Sequence, residues 1–122
     1  MPKTILIVDD SPSLRMAVRI ALNVGGYDVV EAEDGQDALT KLDGRRYHLA
    51  ICDVNMPNLD GYAFVAIMKH LPAYKYTPVV MLTTECSFDK KERGREVGAK
   101  NWIVKPFVPS QLLRAVTRLV LA

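Results

Sequence analysis

Short apolar runs alternate with amphipathic stretches along the whole chain. The run Thr4 to Val8 is apolar after its first residue, and the runs Leu49 to Cys52, Val79 to Leu82 and Trp102 to Val104 have the same character. Such continuous runs are typical of strands that are buried on both faces of a parallel sheet. Residues 28 to 32 form a fifth, less apolar run. The pattern therefore predicts five strands.

Helix caps and helix breakers predict five helices between and after these strands. The first helix opens with Ser11 as its N-cap and Pro12 in its first turn, and it ends at Gly25 and Gly26. The other helices are expected at about 34–43, 61–71, 87–97 and 109–121. Strands that alternate with helices predict a single α/β domain over residues 1–122, with a doubly wound parallel sheet and helices on both faces.

Length, charge and cysteine content exclude several classes of function. The chain has 122 residues, which suits one domain, and no apolar run reaches the roughly 18 residues of a membrane span. The net charge of +2 is too small to indicate nucleic-acid binding without a concentrated basic patch. Cys52 and Cys86 have no spacing typical of a disulfide framework or a zinc site. We expect a soluble, cytoplasmic protein that binds neither nucleic acid nor membrane.

Polar residues follow four of the five predicted strands. Asp9 and Asp10 follow the first strand, Asp53 the third, Thr83 the fourth and Lys105 the fifth. Ligands of doubly wound sheets bind beyond the carboxyl ends of the strands, so these residues should meet in one cleft. Three close carboxylates repel one another, which favours either a hard cation between them or a proton on one of them.

These residue types suit phosphoryl chemistry in the presence of Mg²⁺. Mg²⁺ commonly binds one or two carboxylates together with a substrate phosphate. Lys105 can pair with a phosphoryl oxygen, Thr83 can donate its hydroxyl, and Asp53 remains as a candidate nucleophile. Taken singly, each position is more typical of a cap, a turn or a solvated residue. The combination at equivalent strand ends indicates a functional site.

The segments that contain these residues resemble the motifs of response-regulator receiver domains. They are ILIVDD, DVNMPNLDG beginning at Asp53, VVMLTTE ending at Glu85 and WIVKPF ending at Phe107. The resemblance extends over the whole chain and is greatest for the single-domain chemotaxis (CheY-like) type. It implies a flavodoxin-like sheet with the strand order 2-1-3-4-5, of which chemotaxis receivers are a known example.

The resemblance also implies roles for the site residues. Asp53 corresponds to the phosphoacceptor, which receives its phosphoryl group from a phosphohistidine on a histidine kinase. Asp10, Asp53 and the backbone carbonyl of Asn55 correspond to direct Mg²⁺ ligands, and Asp9 corresponds to an outer acid that holds the metal through water. Lys105 is expected to pair with the phosphoryl group, and its bond to the following proline is expected to be cis.

A switch and a phosphoryl lifetime follow from the same resemblance. Phosphorylation adds charge and acceptor oxygens that attract Thr83, and Trp102 stands where an aromatic residue responds to that movement. Family members more often have Tyr or Phe at this place. Asn55 and Glu85 occupy the positions that tune the lifetime, and both are polar, so a short-lived phosphoryl group is expected. Thr84 replaces the small residue common beside the switch threonine and is expected to slow transfer and loss.

The expected output is docking of a partner protein. In the family, the fourth helix, fifth strand and fifth helix form the surface that changes. The basic residues there are Lys90, Lys91, Arg93, Arg95, Lys100, Arg114 and Arg118. A basic, partly apolar surface suits an acidic helix or peptide. We expect a monomer that a histidine kinase phosphorylates and that then docks a downstream protein, in chemotaxis or a related relay.

Three other classes of function remain as alternatives. A Mg²⁺-dependent phosphohydrolase usually needs a second acid beside its nucleophile, where this chain has Val54. A flavin carrier on the same fold needs a donor-rich loop after the first strand, whereas Asp9 and Asp10 would repel the flavin phosphate. A degenerate receiver that serves as a scaffold would have lost part of the site. A phosphorylation switch, and not a turnover enzyme, is the preferred prediction.

Overall fold

Five strands and five helices alternate along the computed structural model, which describes residues 2–84 and 87–121. The strands are β1 (Thr4–Val8), β2 (Asp28–Ala32), β3 (Leu49–Asp53), β4 (Val79–Thr83) and β5 (Asn101–Val104). The helices are α1 (Pro12–Val24), α2 (Gly35–Lys41), α3 (Gly61–His70), α4 (Phe88–Val97) and α5 (Pro109–Leu121). Every predicted element is present, and the predicted ends differ from the observed ones by no more than two residues.

The strands form one parallel sheet in the order β2-β1-β3-β4-β5. This order confirms the doubly wound, flavodoxin-like fold. Val8 of β1 lies opposite Cys52 of β3, and Thr83 of β4 lies opposite Val104 of β5, so the strands end along the same edge. The strand order reverses at β1, because β2 lies on one side of β1 and the later strands lie on the other. Ligands of such sheets bind at this switch point, beyond the carboxyl ends of the strands.

An apolar core covers each face of the sheet. Ile5 and Ile7 face the core that α1 and α5 share, whereas Leu6 and Val8 face the core on the side of α3. Successive side chains of a strand point to opposite faces. Both faces of the central strands are therefore buried, which explains why these strands are continuously apolar in sequence.

Side-chain caps set where the helices begin. Ser11, Asp34, Asp60 and Ser87 each accept a hydrogen bond from a backbone N–H in the first turn of the helix that follows. Asp34 and Ser87, predicted as first helical residues, are caps instead, because their oxygens satisfy backbone donors that have no partner within the helix. In the described part of the chain, no helix is long and apolar enough to span a membrane.

Replacement of Phe64 on α3 tests the core on that side of the sheet. Its side chain is 0% exposed, so we expect Phe64→Ala to lower the free energy of unfolding by about 3–5 kcal/mol through lost burial and a residual cavity. Phe88 of α4 is 76% exposed, and Phe88→Ala should change stability by less than about 0.5 kcal/mol. Urea unfolding followed by circular dichroism measures both values. Equal losses would contradict this assignment of the core.

Candidate functional site

Asp9, Asp10 and Asp53 lie together where β1 and β3 end. One carboxylate oxygen of each acid lies within 4.8 Å of those of the other two. Asp9 is fully buried and Asp53 is nearly so, whereas Asp10 is exposed. The parallel pairing of β1 with β3 places their carboxyl ends side by side. The fold therefore brings the three acids into one cluster, as the strand-end argument predicted.

Lys105 connects two of these acids. Its Nζ lies 3.0 Å from Oδ2 of Asp9 and 3.3 Å from Oδ1 of Asp53. Its backbone N–H donates to the carbonyl oxygen of Thr83 at 2.7 Å, which fastens the segment after β5 to the end of β4. The peptide bond from Lys105 to Pro106 is cis. The ammonium group therefore offsets part of the repulsion between the two buried carboxylates.

The environment of the cluster shifts the pKa values of Asp53 and Lys105. Burial and the negative charge of Asp9 raise the pKa of Asp53, against the opposing effects of Lys105 and the backbone N–H of Asn55. Burial by itself lowers the pKa of Lys105, but the hydrogen bond and charge of Asp9 and the charge of Asp53 raise it overall. These shifts favour the charged form of Lys105, and the carboxylate of Asp53 lies where added positive charge is favoured.

Oxygen donors at this spacing fit a hard divalent cation. Mg²⁺ binds carboxylates at about 2.0–2.1 Å and keeps several waters, so a site with one exposed acid suits it. Asp10 supplies the exposed carboxylate and Asp53 a buried one. Their oxygens lie within 4.8 Å of each other, which is near the spacing of two ligands of one ion. The donor set contains neither sulfur nor imidazole, which disfavours zinc.

Arg15 is a site residue that the sequence analysis missed. Its Nη1 donates to the carbonyl oxygen of Asp9 at 2.6 Å, and its Nε lies 3.4 Å from Oε1 of Glu31 on β2. The backbone N–H of Ser11 donates to Oδ1 of Asp9 at 2.9 Å. These contacts hold both the main chain and the carboxylate of Asp9. The sequence does place Arg15 one helical turn after the cap Ser11. A side chain at that position of a helix points back towards the helix N-terminus, and so towards Asp9.

Three other predicted site residues, Thr83, Thr84 and Asn55, lie next to Lys105 or Asp53. Thr83 ends β4 and is 1% exposed, while Asn55 is exposed. Thr84 is exposed and lines, with Lys105, an apolar groove between α1 and α5. Its effect on phosphoryl transfer stays a prediction. Glu85 lies outside the described residues.

Trp102 of β5 is half-buried and lies beneath α4. Its ring centroid is 6.4 Å from that of Tyr62 on α3, with the planes tilted by 51°. Gly94 of α4 faces the indole so closely that an added methyl group would overlap Cζ2 and lie 3.0 Å from Cη2. The sequence analysis did not identify Gly94. A glycine inside an otherwise polar helix was the available signal, since glycine there costs helix stability.

The predicted docking surface of α4, β5 and α5 is basic. Its exposed members are Lys91, Arg93, Arg95, Lys100, Arg114 and Arg118. Lys90 is only half-exposed. The guanidinium of Arg93 lies 4.5 Å from the ring centre of Tyr62 and 3.8 Å from Oδ2 of Asp60. Arg93 is therefore partly engaged within the protein, whereas Arg114 and Arg118 line an open groove beside Trp102.

Comparison with known proteins identifies the family. The family described as "Response regulator receiver domain" matches residues 5–117. The chain therefore belongs to the response regulator receiver domains of two-component systems. This confirms the resemblance that the motifs indicated.

Particular relatives narrow the type. The chain is 38% identical to the protein PilG of Pseudomonas aeruginosa over 112 residues, which is 92% of this chain and 83% of PilG. Its structure matches that of the chemotaxis protein CheY4 of Vibrio cholerae with a TM-score of 0.94 and 44% identity, covering 98% of this chain and 99% of that one. It spans 52% of the transcriptional regulatory protein PhoB of Pseudomonas aeruginosa. These likenesses support a CheY-like receiver.

Proposed function

We propose that residues 1–122 form one receiver domain that acts as a phosphorylation switch. Asp53 accepts a phosphoryl group from a histidine kinase, and the phosphorylated form docks a downstream protein. The observation that carries this proposal is the convergence of Asp9, Asp10 and Asp53 with Lys105 at one edge of the sheet. A buried carboxylate beside two other acids and a lysine is typical of a functional site.

The transfer step uses the carboxylate of Asp53 as the nucleophile. One of its oxygens attacks the phosphorus of a phosphohistidine, so a P–O bond forms while the P–N bond breaks, and the imidazole leaves with the electron pair and takes up a proton. The Nζ of Lys105, 3.3 Å from Asp53, is placed to pair with a phosphoryl oxygen. Thr83 is proposed to donate its hydroxyl to another phosphoryl oxygen. Both contacts stabilise the charge that develops on the phosphoryl group.

Mg²⁺ is the proposed cofactor of this step. It would be held directly by Asp10, Asp53 and the backbone carbonyl of Asn55, and through water by Asp9. When bound, Mg²⁺ neutralises charge on the phosphoryl oxygens. Lys105 already compensates the charges of Asp9 and Asp53. This lysine therefore helps to keep the acids close enough to share one ion.

The proposed output is a change at α4, β5 and α5 that an acidic partner recognises. Thr83 and Trp102 respond to the new phosphoryl group, and Asn55 and Glu85 set a short phosphoryl lifetime. The likeness to PilG and CheY4 supports a role in chemotaxis or a related motility relay. A monomeric state and a cytoplasmic setting, without nucleic acid or membrane as partner, stay predictions.

A turnover phosphohydrolase is disfavoured by the residue beside the acceptor. Val54 is apolar and 3% exposed, so it supplies no second acid to protonate a leaving group. The cluster Asp9, Asp10 and Asp53 is complete, together with Lys105. No observation favours a degenerate scaffold.

Phosphorylation by acetyl phosphate tests the proposal directly. We expect an intact-mass increase of one phosphoryl group in the presence of Mg²⁺, together with a saturable change in the fluorescence of Trp102, the only tryptophan. Addition of EDTA before the phosphodonor should prevent both changes, because the acids then have no ion to share. A protein that binds Mg²⁺ yet never gains a phosphoryl group would leave only the scaffold alternative.

Replacement of Arg15 tests how the acid cluster is held. We expect Arg15→Gln to weaken Mg²⁺ binding by about tenfold, because the main chain of Asp9 loses its support. Arg19→Gln is the matched control, since Arg19 Nη1 lies 2.6 Å from the same Glu31 but is not bonded to Asp9. Isothermal titration calorimetry measures the Mg²⁺ affinity of each variant. Equal weakening in both variants would assign the effect to Glu31 instead.

A further inference from the structure

Trp102 and Gly94 are in close contact, with a large ring facing a residue that has no side chain. The benzene ring of the indole occupies the place that a side chain at position 94 would need. Gly94 is buried and Trp102 is half-buried. Any side chain at position 94 therefore has to displace either the indole or the helix.

Glycine at this position is costly unless the space is needed. In a helix interior, glycine lowers the stability of the helix by about 1 kcal/mol relative to alanine. The neighbours of Gly94 on α4 are charged and exposed, as in Arg93, Arg95 and Glu96, so no turn or chain reversal requires glycine there. The helix ends separately at Gly98, which has a positive φ of 108°. The close approach of the indole is the one feature at position 94 that calls for a missing side chain.

Contacts to the indole, to α3 and to the apolar core attach α4 to the rest of the protein, the last of them through Val97. Gly94 is the buried residue of this helix, all of whose residues belong to the described part of the chain. The hydroxyl of Tyr62 donates to the carbonyl oxygen of Lys90 at 3.2 Å, and Arg93 stacks on the ring of Tyr62. Tyr62 in turn contacts the indole. The aromatic pair Tyr62 and Trp102 thus contributes to the position of α4 over the sheet.

We propose that Gly94 is a positioning residue for Trp102. The missing side chain creates the space in which the indole lies, and the close contact makes the position of α4 follow that of the indole. This inference goes beyond the proposed function and rests on it only where it concerns the response to phosphorylation. The larger indole and the glycine compensate for each other, so a change of one alone should cost stability.

A double-mutant cycle on the unphosphorylated protein tests the pair. In Gly94→Ala, the emission of Trp102 should shift to longer wavelength and acrylamide should quench it more strongly, because the added methyl group displaces the ring towards water. The urea midpoint should fall in this variant. In the Trp102→Phe background, Gly94→Ala should instead raise the midpoint, because the smaller ring leaves room and alanine favours the helix. Glu96→Ala, at an exposed position of the same helix, should leave the emission unchanged.

The outcomes separate this inference from the proposed function. An unchanged emission of Trp102 in Gly94→Ala, together with a raised urea midpoint in both backgrounds, would overturn the pairing. A failure of Gly94→Ala to fold in both backgrounds would overturn it as well. With acetyl phosphate and Mg²⁺, Gly94→Ala should still gain a phosphoryl group, but its fluorescence response should be reduced. If the unaltered protein gains no phosphoryl group, the proposed function fails while the mutant cycle still decides the role of Gly94.

Discussion

Asp53→Asn is expected to abolish phosphoryl acceptance from acetyl phosphate completely. The amide has the shape of the carboxylate but lacks the anionic oxygen that attacks phosphorus. Circular dichroism should show that the variant is folded, so that the loss is assigned to the missing carboxylate. Intact-mass measurement should find no adduct in the variant, and the fluorescence change of Trp102 with the phosphodonor should disappear. Adduct formation at the level of the unaltered protein would assign the acceptor role to another residue.

The same variant should also be more stable at neutral pH when no divalent metal is added. Burial and the charge of Asp9 raise the pKa of Asp53, so the folded state prefers the protonated acid. That preference stabilises the fold at pH below the unfolded value of about 4, and it is lost as the pH rises through the raised pKa. At pH 7 the charged Asp53 therefore costs stability, and the uncharged asparagine does not.

Urea unfolding at two pH values measures this effect. The advantage of Asp53→Asn should be large at pH 7 and should shrink as the pH falls towards the unfolded pKa of about 4, where Asp53 is itself protonated. Asp28→Asn is the control, because Asp28 is an exposed acid on β2 and its replacement should change little. An advantage that is independent of pH would show that charge is not its cause.

Lys105→Met is expected to destabilise the protein by about 1–3 kcal/mol in the absence of divalent metal. Removing one partner of a fully buried ion pair costs roughly 3–5 kcal/mol, and the side chain of Lys105 keeps 18% exposure, which reduces that cost. Asp9 and Asp53 would then face each other without a cation. Lys91→Met, at an exposed position of α4, should change stability by less than about 0.5 kcal/mol.

A second background identifies the cause of this loss. In Asp53→Asn, where one of the two facing charges is already absent, Lys105→Met should cost clearly less. The urea-unfolding free energies of the four proteins give the coupling between Lys105 and Asp53. A loss of the same size in both backgrounds would mean that Lys105 acts through packing of its aliphatic part, and not by compensating Asp53.

The strands were predictable because burial dominates their sequence. In a parallel sheet covered on both faces, β4 and all of β1 after Thr4 are buried, so the predicted runs Thr4 to Val8 and Val79 to Leu82 stand out without any knowledge of tertiary contacts. Two helix starts, those of α2 and α4, were predicted one residue too early. A capping side chain such as Ser87 lies just outside the helix but belongs to the same sequence signal, so pattern alone does not separate cap from first turn.

The acid cluster was also predictable, for a topological reason. Parallel strands end at one edge, so acids that directly follow two neighbouring strands must lie close together. The strand order itself came from the resemblance to receiver domains. The assignment of Asp53 as acceptor and of Asp10 as a metal ligand likewise came from the resemblance, and both stay proposals.

Arg15 and Gly94 could not be identified from sequence because their roles depend on partners elsewhere in the fold. Arg15 is defined by a bond to the main-chain carbonyl of Asp9, an atom that every residue possesses. Gly94 is defined by the indole of Trp102, which reaches it from the following strand. Neither relation has a period or a spacing along the chain.

The sequence by itself determined the elements, the α/β class and the edge of the sheet where polar residues gather, because these depend on local burial and on the direction of the strands. The tertiary structure alone decided how those residues are held. It placed Lys105 between Asp9 and Asp53 and the indole of Trp102 against Gly94. Such contacts depend on distances of a few ångströms between segments far apart in sequence, and only close packing of the whole chain sets distances of that kind.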